Sequence, residues 1–338
     1  MMVYTGVMTH ILSEHIEAAS WVERVTATCS NDPVFGKIVS AVLWTDDVGQ
    51  DGEPLVSLDP LKFIAEINES GLPVLKGHDP GFPLGRVLAA DVFTKSDNSR
   101  FIAAIIGFYD NDTMLSFRGL DLNILPDVTS PVFVDELDSN GFIVFAVDPR
   151  EVDAAWLEDL IRRTPLRVEQ TDLSHNAAEP LLELLRVGLP YVALVWNPLV
   201  TSVATEAGKD VYSGIRQWLR ILWTKLDELK NPVVEIQSQI EGCLVSFLFR
   251  GSDVQRNYDA HDELPIASMQ ALTLVSSMNV RGIAPRVITY EYETQSKKWF
   301  PSYAVLCDGR FVSDRSILIA LEQLPSGLSI GLVRDKGM

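Results

Sequence analysis

Cysteines are scarce in this sequence, and none lies close enough to another to form a CxxC metal-binding motif. Cys29, Cys243 and Cys307 are the only three in 338 residues. An odd number of widely spaced cysteines is typical of free thiols in a reducing compartment. The first ten residues also lack a basic segment followed by an apolar one, so the sequence predicts a cytoplasmic protein without a secretion signal.

Positive charge is also in short supply. Lysine and arginine total 28 against 46 aspartate and glutamate residues, which gives a formal net charge of -18. Nucleic acids are bound by clustered cations, and no run of lysine or arginine offers such a cluster. We therefore expect no nucleic-acid partner, and we attribute the acidity to solubility and to repulsion between copies.

No apolar run is long and clean enough to cross a membrane. The most apolar stretch, Val187–Ala204, is interrupted by Pro190, Asn197 and Pro198. These residues favour a buried strand and its connection over a membrane span. We therefore expect no membrane partner.

The composition that remains is that of a globular protein of about two domains, with 47% hydrophobic and 22% charged residues. We predict an α+β fold in three parts. These are a barrel-like β domain with peripheral helices at residues 1–150, a helical connector at 151–187, and a ferredoxin-like domain with an added hairpin at 188–338.

The N-terminal domain is predicted from short apolar segments separated by glycine, proline, asparagine and aspartate. The predicted strands are Val3–Met8, Lys37–Leu43, Pro73–Leu75, Gly85–Phe93, Phe101–Phe108, Pro131–Val134 and Phe142–Ala146. Asp59 and Pro60 predict the start of one helix, and Gly71 predicts its end. This pattern favours a barrel or a curled sheet.

The connector and the C-terminal domain are predicted from a change to helical spacing. Val152–Arg162 and Ala177–Leu185 are the predicted connector helices. The predicted elements that follow are strand Tyr191–Trp196, a helix at 209–229, strands Val233–Ile240 and Leu244–Phe249, helix Ala267–Met278, strand Arg286–Tyr292, the hairpin of Ser302–Leu306 with Phe311–Val312, and helix Ser316–Leu321. The order up to Tyr292 is that of a ferredoxin-like fold.

The stretch from Asp59 to Asp110 carries the most distinctive motif. An apolar strand runs Leu-Pro-Val-Leu-Lys-Gly and ends in His78-Asp79-Pro80, and Pro-Leu-Gly-Arg-Val at 83–87 then opens the next strand. This arrangement resembles the prohead (capsid-maturation) proteases of tailed phages, which are relatives of the herpesvirus assemblins. The resemblance covers about 90 residues and implies that His78 is the general base of a serine peptidase.

The same family carries its nucleophilic serine in a later strand, shortly before a proline. Ser130 occupies that place, 52 residues after His78, with Thr129 as the substitute if the register differs by one. The family usually has an acidic residue directly before the serine, which Thr129 replaces. A serine attacks a carbonyl carbon only when a nearby base accepts its proton, so the resemblance implies a Ser130–His78 pair.

Further residues are weaker candidates for the remaining roles. Asp79 either orients His78 or only shapes the turn before Pro80. Assemblins use a second histidine, for which His175 is the nearest candidate, and a pair of arginines at the oxyanion site, for which Arg162 and Arg163 are candidates. The structural alternative is that the His-Asp-Pro sequence is an ordinary turn and that Ser130 ends a strand.

Two other motifs do not indicate sites. Gly-Leu-Ser-Ile-Gly at 327–331 matches a nucleophile elbow, but no histidine follows it, and a last apolar strand is the better interpretation. His261, Asp262 and Glu263 are adjacent ligand types that do not converge on one metal ion, and we interpret acidic residues here as favouring the start of the next helix. We expect no metal or cofactor.

The helix predicted at 209–229 carries Trp218 and Trp223 on a broad apolar face. Such a face is usually core, and the alternative is an interface with a partner. Two functions stay open: a serine peptidase with a recruiting or regulatory second domain, and a non-enzymatic interaction module of a phage-related or phage-defence assembly. Both predict a protein or peptide partner, and self-association is a further expectation.

Overall fold

The chain divides into two units in the computed structural model, which describes residues 8–46, 59–77, 79–127, 142–147, 152–165, 167–173, 183–188, 206–315, 328–330 and 333–334. Unit 1 comprises Met1–Met114, Ser174–Pro180 and Ser316–Leu332, and unit 2 comprises Leu115–Leu173, Leu181–Arg315 and Val333–Met338. Both units are discontinuous in sequence. The first division falls after Met114, whereas the sequence analysis placed one near residue 150.

The described part of unit 1 combines three helices with a sheet. Helices α1, α2 and α3 span Met8–Glu14, Ile16–Cys29 and Pro60–Ser70, and strands β1 to β4 span Phe35–Thr45, Pro73–Lys76, Pro83–Thr94 and Arg100–Tyr109, with β13 at Leu328–Ile330. The four predicted strands between Lys37 and Phe108 are confirmed with slightly longer bounds. So is the interpretation of the 327–331 motif as an apolar strand, because β13 pairs with β2.

The N-terminal helices were not predicted. The sequence predicted a strand at Val3–Met8, of which only Met8 lies in the described part of the chain, and Met8 begins α1. Helix α2 begins at a histidine N-cap, since the His15 side chain accepts a hydrogen bond from the Ala18 backbone N–H. Trp21 on α2 packs with Phe101 of β4 in a small apolar core, which covers one face of the sheet.

Helix α3 begins and ends where the sequence predicted. The Asp59 side chain accepts hydrogen bonds from the backbone N–H groups of Leu61 and Lys62, and Pro60 occupies the first turn. Gly71 follows the last turn with φ at 63°, a backbone conformation that favours glycine.

The sheet of unit 1 is open, so the predicted barrel is wrong for the part of the chain that the structure describes. Its strand order is β1-β4-β3-β2-β13, with every pair antiparallel. Strand β4, which lies between β1 and β3, is buried from Phe101 to Tyr109, which means that both of its faces are covered. The predicted strand Pro131–Val134 lies outside the described residues.

Unit 2 is a second, larger sheet with helices. Its strands are β5 Phe142–Val147, β6 Arg167–Leu173, β7 Glu183–Gly188, β8 Pro232–Ile240, β9 Cys243–Arg250, β10 Pro285–Glu293, β11 Lys298–Leu306, β12 Phe311–Val312 and β14 Val333–Arg334, and its helices are α4 Ala154–Arg162, α5 Glu206–Lys225 and α6 Val254–Val280. A short 3-10 turn, Leu226–Glu228, extends α5.

Two predicted elements before α5 differ in the structure. Strand β5 is where the sequence predicted it, but it pairs with β6 and β7 in the second sheet rather than with the N-terminal strands. The predicted helix Ala177–Leu185 is wrong at its described end, since β7 begins at Glu183. Helix α4 is confirmed, with the Asp153 side chain as its N-cap. The predicted elements Tyr191–Trp196 and Ser316–Leu321 lie outside the described residues.

The strand order of the second sheet is β12-β11-β10-β9-β8-β7-β5-β6-β14. Three pairs of strands, each connected through a helix, are parallel and directly hydrogen-bonded: β5 with β6, β7 with β8, and β9 with β10. In a ferredoxin-like split βαβ fold, another strand separates the two that a helix connects. The predicted ferredoxin-like arrangement is therefore wrong, and three adjacent βαβ units take its place.

The three helices described in unit 2 pack on one face of this sheet. Trp156 of α4, Trp218 of α5 and Leu274 of α6 belong to the same apolar cluster, together with every second residue of the central strands. The predicted long helix and its buried tryptophans are thus confirmed as core.

Helix α6 starts thirteen residues earlier than the predicted Ala267, at Val254, and includes Pro265. The sequence predicted Asp262 and Glu263 to lie before the helix, but both lie within it.

Candidate functional site

The predicted base His78 lies outside the described residues, but its neighbours on both sides form a tight connection between β2 and β3. Lys76 donates its backbone N–H to the carbonyl of Phe82 at 3.0 Å, and Gly77 has φ at 58°. Strand β2 pairs antiparallel with β3, with Val74 opposite Gly85. Strands β2 and β3, on either side of position 78, therefore form a β-hairpin.

Asp79 shapes this turn. Its carboxylate accepts the Gly81 N–H at 2.8 Å, and its backbone carbonyl accepts the Phe82 N–H at 3.0 Å. An aspartate that accepts a hydrogen bond two residues ahead forms an Asx turn. Shaping the turn is one of the two roles that the sequence offered for Asp79.

The glycine of the Pro-Leu-Gly-Arg-Val segment is required by close packing of strands. A Cβ atom at Gly85 would lie 2.1 Å from the carbonyl oxygen of Gly107 on β4. Any larger residue would push β3 and β4 apart.

The other predicted site residues divide into two groups. Ser130, Thr129 and His175 lie outside the described residues. Arg162 and Arg163 lie at the C-terminal end of α4 and are exposed, and the Arg163 guanidinium binds Asp159 of the same helix at 3.2 Å. This ion pair gives Arg163 a role in the helix itself.

Strand β1 presents a candidate binding edge. The strand is eleven residues long, and among the described residues it pairs only with β4. Gly36 is exposed and Lys37 to Ser40 are partly exposed, whereas Ala41 to Thr45 are buried. We call Gly36–Ser40 the β1 edge segment. It is the accessible part of an otherwise buried strand.

Lys37 stands out within the β1 edge segment. Its ammonium nitrogen is buried and has no hydrogen-bond partner in the part of the chain that the structure describes. Its cross-strand neighbours on the same face are the fully buried Phe108 and, beyond it, Gly85. A buried charge is normally paired, because removing it from water costs several kcal/mol. The sequence placed Lys37 in a strand, but its missing partner could not be inferred from the sequence.

A second cation, Arg86, lies on the opposite face of the same sheet. Its guanidinium carbon lies 5.4 Å from the centre of the Phe35 ring. Its Nε is buried and has no hydrogen-bond partner among the described residues. Arg86 lies opposite Gly107 and Lys37 lies opposite Phe108. Because consecutive residues of β4 point to opposite faces of the sheet, the side chains of Arg86 and Lys37 lie on different faces.

Unit 2 contains a connected polar cluster on the sheet face opposite its helices. The buried Glu235 accepts hydrogen bonds from Arg186 Nε at 2.8 Å, from Gln237 Nε2 at 2.8 Å and from Ser246 Oγ at 2.9 Å. These partners come from three adjacent strands, β7, β8 and β9. A network in which each polar group is paired fixes the strands relative to one another.

Glu291 forms a second cluster on the same face. Arg315 binds both of its carboxylate oxygens, at 3.2 Å and 3.0 Å, and Arg250 binds it at 3.1 Å. Burial by itself raises the pKa of Glu291, but hydrogen bonds and charges from Arg315 and Arg250 outweigh it, and the net pKa lies below its ordinary value. The carboxylate is held in its charged form.

The His261-Asp262-Glu263 segment has a structural role in the packing of α5 against α6. His261 Nδ1 accepts a hydrogen bond from Trp223 Nε1 at 3.3 Å, and burial together with the Arg216 charge lowers the pKa of His261 to about 4. Asp262 pairs with Arg216 at 2.6 Å and with Arg220 at 3.4 Å. Within the described ranges, no group of three or more histidine, cysteine, aspartate or glutamate side chains could hold a metal ion.

Comparison with known proteins adds no assignment, since no family model, no curated protein and no solved structure matches the chain. The helices that the structure describes are also too short or too polar to cross a membrane.

Proposed function

We propose that this chain is an interaction protein that binds an extended segment of a partner protein along the β1 edge segment. The observation that carries the proposal is the β1 edge segment, an accessible stretch of a long strand that has a described neighbour on one side only. Addition of a strand to an exposed sheet edge is a recurring mode of peptide recognition.

The sheet behind this edge is suited to act as a template. Strand β4, which pairs with β1 over its whole length, is buried on both faces, so β1 is held in an extended conformation before any partner arrives. A preformed strand reduces the entropy that binding must overcome. Each backbone hydrogen bond to the added strand would contribute about 1 kcal/mol.

The setting of the interaction is the cytoplasm. The three cysteines are free thiols, and Cys307 is exposed. Such thiols suit a reducing compartment.

Hydrogen exchange after peptide selection tests this function. A display library of random twelve-residue peptides would be selected on the immobilised full chain, and the enriched peptides would be added to the chain in solution. We expect backbone amides of the β1 edge segment to exchange more slowly with peptide bound, while those of β10 in unit 2 do not change. If the library yields no peptide that protects Gly36–Ser40, the function is wrong.

A peptidase is the second candidate, and the hairpin around His78 favours it. In the prohead proteases that the sequence resembles, the histidine also lies between an apolar strand and a Pro-Ile-Gly-Arg-Val-like strand. Here β2, the Asp79 turn and β3 follow in that order. By resemblance, His78 is the base and Ser130 the nucleophile.

Covalent labelling tests the peptidase. A fluorophosphonate probe is expected to label the native chain, and Ser130→Ala is expected to abolish labelling, while Thr129→Val leaves it intact. Replacing His78 by alanine should slow labelling, because the hydroxyl loses its base. If the probe does not label the native chain, the peptidase function is wrong.

A further inference from the structure

We infer that the partner strand bound at β1 carries a carboxylate side chain that pairs with the ammonium group of Lys37. This inference rests on the proposed function and adds to it the chemical character of the partner. Its basis is the buried ammonium, which has no hydrogen-bond partner in the described part of the chain.

The surroundings of Lys37 offer it no carboxylate from within the sheet. On the same face, the next two positions across the sheet are Phe108 and Gly85. On the other side of β1, an added strand would place one side chain directly opposite Lys37, with Cβ atoms about 5 Å apart. An aspartate or glutamate at that position would supply the partner that the ammonium lacks among the described residues.

A second copy of this chain does not supply that carboxylate through the same edge. Strand β1, Phe35–Thr45, contains no aspartate or glutamate, and Lys37 is its one charged residue. Pairing of β1 with β1 would therefore leave both ammonium groups without a partner. The complementary charge must come from a different sequence.

The same lysine would also reject unsuitable strands. Proteins protect free sheet edges from self-association with lysines, with inward-pointing charges and with bulges, and β1 has a bulge between Phe35 and Lys37. A neutral strand added at this edge would leave the buried ammonium without a partner. A strand that carries a carboxylate pairs with the ammonium. Lys37 therefore disfavours the binding of neutral strands and favours the binding of acidic ones.

Peptides selected on the full chain test the inference. We expect the enriched sequences to share one aspartate or glutamate at a fixed position within an alternating apolar and polar pattern. Changing that acid to its amide should weaken binding by about tenfold, which corresponds to about 1.4 kcal/mol. In Lys37→Met, the acidic peptide and its amide form should bind equally well, whereas Lys62→Met, at an exposed lysine of α3, should preserve the tenfold difference.

The outcomes distinguish the proposed function, binding of a strand at β1, from the further inference that this strand carries a carboxylate. Peptides that protect the β1 edge segment but share no carboxylate, or that discriminate acid from amide equally well in Lys37→Met, overturn the inference and leave the proposed function standing. A selection without any peptide that protects this segment overturns both. Sedimentation of Lys37→Met adds a second readout, since loss of the edge charge should raise self-association above that of the native chain.

Discussion

At the scale of single residues, the surroundings of the buried His261 keep its imidazole ring neutral. His261 accepts a hydrogen bond through Nδ1 from Trp223, and this requires the neutral ring. Burial, which disfavours the imidazolium, agrees with that arrangement. The stability of the fold should therefore depend on pH through this residue.

His261→Gln measures that dependence. The pKa of His261 is lowered from 6.5 to about 4 in the folded state, so acid favours the unfolded state as the pH falls through this window. Between pH 7.5 and pH 5 the native chain should lose about 2 kcal/mol through this group, and the glutamine variant should lack this loss. Urea unfolding of unit 2 at the two pH values checks it. Equal pH dependence in both proteins would contradict a neutral buried histidine.

The cysteines provide a second prediction at this scale. Burial raises the pKa of Cys243 to about 12, and burial also raises the pKa of Cys29, whereas Cys307 is exposed. Because the thiolate is the reactive species, a maleimide should modify Cys307 first, Cys29 more slowly, and Cys243 only in denaturant. Mass spectrometry of a labelling time course, with Cys307→Ser as the control, reports the order. Early labelling of Cys243 would contradict its burial.

At the scale of elements, the Arg186–Glu235 pair joins β7 to β8 on a buried face of the second sheet. Arg186→Met leaves the Glu235 carboxylate buried without its cation and should reduce the free energy of unfolding by about 3–5 kcal/mol. The double variant Arg186→Met, Glu235→Gln should recover part of that loss, because no charge remains buried and the new amide oxygen still accepts the hydrogen bonds from Gln237 and Ser246.

The exposed pair of Arg167 and Glu169 is the matched control for this cycle. Its nitrogen and oxygen atoms lie 3.9 Å apart, and the Arg167 side chain is 80% exposed. Arg167→Met should change stability by less than about 1 kcal/mol. Equal effects of Arg186→Met and Arg167→Met in urea unfolding would show that Glu235 is not held by its ion pair.

Most elements follow from local sequence signals, and the exceptions have physical reasons. Asp59, Pro60 and Gly71 gave both ends of α3, because caps depend on neighbouring residues alone. The first half of α6 was missed because Pro265 usually ends a helix. Here tertiary packing keeps the helix continuous, with Trp299 Nε1 bound to the carbonyl of Ala260 at 2.9 Å. The pairing of strands is not local, and the predicted barrel and ferredoxin-like order were wrong for that reason.

The candidate site was less predictable than the fold. The spacing of apolar residues placed Lys37 in a strand, but whether its ammonium finds a partner depends on Phe108 and Gly85, which are distant in sequence. The role of Asp79 in a turn could be predicted, because an Asx turn involves only adjacent residues. The Ser130–His78 pair stays a prediction.

At the scale of the whole molecule, the last strands of the chain serve both units. Strand β13 pairs with β2 in unit 1, and β14 pairs with β6 in unit 2. A chain truncated after Arg315 loses both strands. We expect faster hydrogen exchange in β2 and β6, whose backbone groups lose a neighbour, and unchanged exchange in β9. Exchange that rises in only one of the two sheets would contradict this pairing.

The three adjacent βαβ units allow the second sheet to fold in steps during synthesis. Each parallel pair of the second sheet comes from one continuous stretch of chain, so β5–β6, β7–β8 and β9–β10 can close in turn as the polypeptide leaves the ribosome. Strands β13 and β14 are translated after every other described element. Until then β2 and β6 present open edges, so the nascent protein would be more exposed to aggregation before β13 and β14 are made than after.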